Sequence, residues 1–102
     1  MREKKNILFS FDYELFLGER SGIVEECLIH PTEKIMKILD FYKAKGIFFV
    51  DTVYLIRLKA IHDSIAQNDF KKISAQIQKL ISSGHYVFPH IHPHWIDAEY
   101  VP

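Results

Sequence analysis

Three short apolar runs, each closed at once by a polar side chain, constrain this chain more than any other feature. Asn6–Phe11 (NILFSF) runs into Asp12, Ile47–Val50 (IFFV) into Asp51, and the segment Tyr86–Pro89 (YVFP) into His90. None shows a helical period, and each has the length of a buried strand. Longer segments with helical character separate them. Ile35, Ile38, Leu39 and Tyr42 recur at helical spacing with Lys37, Asp40 and Lys43 between them. Thr32 is expected to cap that helix, and Gly46 to supply the left-handed residue beyond its end. The stretch TVYLIRLKAIH, 52–62, holds no glycine or proline and reads as helical, although it is apolar on nearly every side. Asp69 is expected to cap a third helix whose stripe is Phe70, Ile73, Ile77, Leu80 and Ile81, with Gly84 as its stop. Residues 14–30 read as a loop with room for one short element. The order strand, loop, helix, strand, helix, helix, strand predicts an α/β fold with parallel strands and helical crossovers.

Composition narrows the function. With 102 residues and 48% hydrophobic content the chain supports one domain, 1–102, and not two. Thirteen basic residues balance thirteen acidic ones. That balance leaves no electrostatic footprint for nucleic acid and nothing that points to a membrane surface. The first apolar run meets Asp12 and Glu14 too early to be a signal segment or a membrane span, so a cytoplasmic location is expected. Cys27 stands alone, which excludes an intrachain disulfide and a multi-cysteine zinc ribbon.

In parallel sheets the C-terminal strand ends share one edge, and ligands bind there. Asp12, Asp51 and His90 are therefore expected to converge. Asp51 alone reads more simply as the cap of a helix starting at Thr52, whereas Asp12 is joined by Glu14 two residues on. The third run continues as HIHPH, bringing His90, His92 and His94 into five residues. Extended backbone would put all three on one face. A helical turn would pair His90 with His94 at i and i+4. Pro93 lacks an N–H and favours the turn, so His90 and His94 are the expected pair. Two imidazoles and a carboxylate suit Zn²⁺ or another divalent metal and leave positions open for water. His30, His62 and His85 read as structural histidines, and His92 as a supporting or substrate contact.

The stretches FSFDYE, GIFFVD and GHYVFPHIHPH resemble the N-terminal half of a polysaccharide deacetylase of the NodB-like carbohydrate esterase kind. The family's Thr-Phe-Asp-Asp-Gly stands here as SFDYE, and its Ala-Thr-Phe-Phe-Val as KGIFFV. Its Gly-His-Glu-Ile-Gly-Asn-His-Thr-x-x-His aligns in register with GHYVFPHIHPH, which lays the metal-binding histidines on His90 and His94. The resemblance implies a distorted (β/α) barrel with one divalent ion, most often zinc, held by one aspartate and two histidines. That ion polarises an N- or O-acetyl carbonyl and acidifies a bound water. The implied metal ligands are Asp12, His90 and His94. Asp12 and Glu14 are the catalytic carboxylates, either one the ligand and the other the base. The aromatics Tyr13, Phe16, Tyr54 and Trp95 flank the expected rim, where sugars stack on such rings; Tyr13 and Trp95, with His92, are the expected contacts to an acetylated carbohydrate.

Two departures accompany the likeness. The family's Asp-Asp pair is Asp12-Tyr13 here, and no late acid histidine or orienting arginine follows the second motif. A complete barrel of this type needs about 200 residues or more. A truncated partial barrel is therefore expected, completed as a homo-oligomer or by a missing C-terminal half. The alternative is a non-catalytic half-barrel that binds metal or glycan, or an interaction module. A cupin is a more distant rival. Gly84 and the pair His90 and His92 fit the start of its motif, but Glu99 lies too far on and the amphipathic helices oppose an all-β fold.

Overall fold

The computed structural model describes residues 7–14 and 23–91. Within them lie strands β1 (Phe9–Tyr13), β2 (Gly46–Asp51) and β3 (Tyr86–His90), and helices α1 (His30–Phe41), α2 (Thr52–Ala60) and α3 (Ser64–Ser82). A π-helical segment, Glu25–Ile29, runs directly into α1. β2 is central and pairs in parallel with both neighbours. Phe11 lies opposite Phe48 and Asp12 opposite Phe49 on one side, Phe49 opposite Phe88 and Asp51 opposite His90 on the other. This is the expected α/β arrangement of parallel strands joined through helices.

The strand order β1-β2-β3 steps the same way twice. Right-handed crossovers in one direction put the helices on one face of the sheet. Burial agrees with that placement. Tyr13, Phe48 and Val50 form one core with Leu28, Met36, Leu39, Leu58, Ile73 and Leu80, and Phe11 packs partly buried against it. Phe11 stacks on Phe48 with centroids 5.1 Å apart. On the opposite face Ser10 and Asp12 are exposed, Ile47 and Phe49 half-buried, and Tyr86 and Phe88 59% and 50% exposed. Among the described residues no helix covers that face, and none is long and apolar enough to cross a membrane.

A polar strut ties the covered face together. The Tyr13 hydroxyl donates to Gln76 Oε1 at 2.7 Å, and Gln76 Nε2 donates to the Ile29 carbonyl at 2.9 Å. Burial, with the nearby charge of Glu33 adding to it, pushes the Tyr13 hydroxyl well above the usual phenol range and keeps it a donor. His85 is structural, as expected. Its Nδ1 accepts the Gly46 N–H at 3.0 Å, and its Nε2 lies 3.4 Å from Asp40 Oδ1.

Several boundaries differ from those the sequence suggests. β1 begins at Phe9, and Ile7 and Leu8 ahead of it are 75% and 80% exposed rather than buried. Thr32 does not cap α1. The π-helical turn feeds the helix continuously, Pro31 is tolerated in its first turn, and Thr32 is buried inside it. α3 is capped by Asp63, whose Oδ1 accepts from the N–H groups of Ile65 at 2.9 Å and Ala66 at 3.2 Å, and Asp69 lies within the helix. Its stripe buries Ile73 and Leu80 but turns Ile81 outward and Gln76 inward.

Gly46 opens β2 instead of closing α1. A Cβ there would stand 3.0 Å from Leu39 Cδ1 and from Phe48 Cε2, so the glycine permits close packing of strand on helix. The left-handed residue after α1 is Lys43 at φ 56°, while Gly84 at φ 87° ends α3 as expected. Lys43→Gly is therefore expected to stabilise the domain by about 1 kcal/mol by relieving a left-handed side chain. Urea unfolding checks this, and an unchanged or lower midpoint would count against it.

Candidate metal centre

The site grows from the pleat of β1. Alternation sends Phe11 and Tyr13 toward the helices and Ser10 and Asp12 to the uncovered face, and Glu14 follows directly after the strand. The ladder register does the same for Asp51 on β2 and His90 on β3, which are Cα partners. One carboxylate from the first strand, one from the residue just beyond it, and one imidazole from the last strand thus meet at the C-terminal edge of the sheet. One ligand atom each from Asp12, Glu14 and His90 lies within 4.8 Å of the others. Glu14 Oε2 is 3.6 Å from His90 Nε2. The Asp12 residue is exposed, while the Glu14 and His90 side chains are 19% and 34% exposed, so the cluster opens toward solvent.

This donor set fits a single cation. Ligand atoms at about 2.0–2.1 Å from a tetrahedral ion lie about 3.3 Å from one another, against 3.6 Å between Glu14 Oε2 and His90 Nε2 and up to 4.8 Å across the group here. Imidazole nitrogen with carboxylate oxygen matches zinc or another divalent transition ion and leaves coordination positions for water or substrate.

The surrounding chain fixes these groups. The Thr52 hydroxyl donates to the His90 carbonyl at 3.2 Å and holds the end of β3 against the start of α2. Asp51 Oδ1 accepts the Tyr54 N–H at 3.2 Å, the helix cap expected from the sequence. The Phe49 ring sits beside Phe88 and His90, at centroid distances of 6.2 and 6.4 Å, and floors the cluster.

Tyr13 is not at the rim. It is 3% exposed among the core residues and its hydroxyl is engaged by Gln76, which corrects its expected role as a sugar contact. The physical reason is strand alternation: a residue between Asp12 and Glu14 must face the other way. Tyr54, also expected near the rim, is buried at 9% exposure. Phe16, His92, His94 and Trp95 lie outside the described residues, and with them the expected His90–His94 pair. Thr52 and Gln76 carried no local signal in the sequence, because each acts through a partner 38 or more residues away. No family model matches the chain, and neither a curated protein nor a solved structure does.

Proposed function

We propose that the domain carries a divalent-metal hydrolase centre of the carbohydrate deacetylase kind, with zinc as its ion and N- or O-acetylated sugars as its substrates. The observation that carries the reading is the convergence of Asp12, Glu14 and His90 on one open strand edge. His90 and one carboxylate would hold the ion, joined by His94 as the resemblance implies. When bound, zinc polarises an acyl carbonyl and acidifies water. The carboxylate of Asp12 or Glu14 that is not bound to the ion takes the proton from the attacking water. Glu14, less exposed than Asp12, is screened from bulk solvent for either task. The uncovered sheet face is then the interior of a (β/α) barrel, its remaining wall supplied by a second copy or by further chain.

The test is a zinc titration of the metal-free protein by calorimetry, followed by acetate release from a panel of N- and O-acetylated glycans. About one zinc per chain and acetate release are expected. A protein that binds no zinc would remove the centre. Zinc binding without acetate release from any glycan would favour the second reading, a non-catalytic metal- or glycan-binding half-barrel. The exposed rings of Tyr86 and Phe88 on the open face support that reading.

A further inference from the structure

We propose that Asp51 belongs to this centre as a positioning residue whose Oδ2 accepts a hydrogen bond from water held at the ion. The inference rests on the metal-centre reading and adds a group that the sequence presents as a helix cap alone.

Asp51 is 2% exposed, the most enclosed carboxyl of the rim. Its two oxygens have different fates. Oδ1 accepts from the Tyr54 N–H and fixes the carboxyl plane. Oδ2 is buried and has no hydrogen-bond partner among the described residues. Buried polar atoms are nearly always paired, and an orphan of this kind points to a partner that arrives with a ligand.

Its position selects that partner. Asp51 ends the central strand, between the strand that presents Asp12 and Glu14 and the strand that presents His90. It shares the ladder rung of His90, so its side chain leaves the sheet on the face where the three donors meet. It stands outside the group of atoms that lie within 4.8 Å of one another. A carboxyl set back from the donors reaches an ion through its water rather than directly, and outer carboxylates of this type orient what the metal holds. A cap alone needs one oxygen and could be served by serine or threonine, which bury no second acceptor.

The test compares wild type with Asp51→Asn, which keeps an acceptor for the Tyr54 N–H and removes the carboxylate. Zinc affinity by calorimetry is expected to fall about 10- to 100-fold. The visible absorption of the Co²⁺-loaded protein is expected to change, because the water at the ion loses its acceptor. The metal-free variant is expected to melt at or above wild type, since the buried carboxylate charge is gone. A pure cap gives a different pattern: zinc affinity and cobalt spectrum unmoved, because asparagine caps the helix as well as aspartate does. That pattern, or an affinity within about twofold of wild type, overturns the proposal. If Asp51→Asn does not fold, Asp51→Ser retains a capping oxygen, and the same three readouts decide. Wild-type protein that binds no zinc brings down the centre itself, whereas tight wild-type binding that Asp51→Asn shares brings down only the role of Asp51.

Discussion

His90→Ala is expected to weaken zinc binding by more than about 100-fold while leaving the metal-free fold nearly unchanged. Its imidazole is the nitrogen donor of the Asp12, Glu14 and His90 set. Without it the two carboxylates form an oxygen site, which suits harder ions and gives up the preference for zinc. The structural cost is small because His90 is the last residue of β3 and its side chain is 34% exposed. The hydrogen bond that anchors this position runs from Thr52 to the His90 main-chain carbonyl and survives the substitution. Calorimetric titration with zinc, paired with thermal melting of the metal-free protein, separates the two effects. Zinc affinity within about tenfold of wild type would remove His90 from the centre.

Phe48→Ala is expected to cost about 3–5 kcal/mol, enough to leave a small domain largely unfolded near physiological temperature. Phe48 is 1% exposed at the middle of the central strand. Its ring stacks on Phe11 from one neighbouring strand and meets the His85 ring edge-on, with centroids 5.6 Å apart. Truncation would open a void bordered by β1, by the start of β3 and by the Gly46–Leu39 contact, and none of these can close it without losing register. Phe88→Ala is the internal control. That ring is 50% exposed on the uncovered face, and its loss should shift the unfolding midpoint far less. Denaturant unfolding of both variants checks the pair, and equal losses would mean that the core does not lie on the helix side of the sheet.

Much of this architecture was legible because it rests on local pattern. Apolar runs ending at Asp12, Asp51 and His90 marked the strands, and their alternation with helices dictated parallel pairing. Gly84 marked the end of α3 because a positive φ has a residue preference that can be read directly. The misjudged boundaries share a cause. Asp69 and Thr32 are good capping residues by type, but Asp63 came earlier after a connection of only three residues, and a continuous π-helical entry left α1 no free terminus to cap. Gly46 serves close tertiary contact with Leu39 and Phe48 rather than a left-handed turn, and such contact leaves no local trace in sequence. At the site, the meeting of Asp12 and Glu14 with His90 follows from strand order and pleat. The inward turn of Tyr13 follows from the same alternation, which places it opposite to its neighbours Asp12 and Glu14. The strut through Gln76 and the orphaned oxygen of Asp51 could not be read from sequence, because both depend on which atoms face one another after folding.

The carboxylates and the imidazole never share a strand or even adjacent strands; β2 stands between β1 and β3. An ion captured here therefore reports on two separate ladders at once. A one-residue slip in either ladder would turn its contribution to the opposite side of the sheet. Zinc bound as proposed could not nucleate such a chain in the manner of a finger domain, since its donors meet only after both distant pairings have closed. On the proposed reading, metal uptake would be the final event of maturation, and its rate a gauge of how quickly the last strand docks.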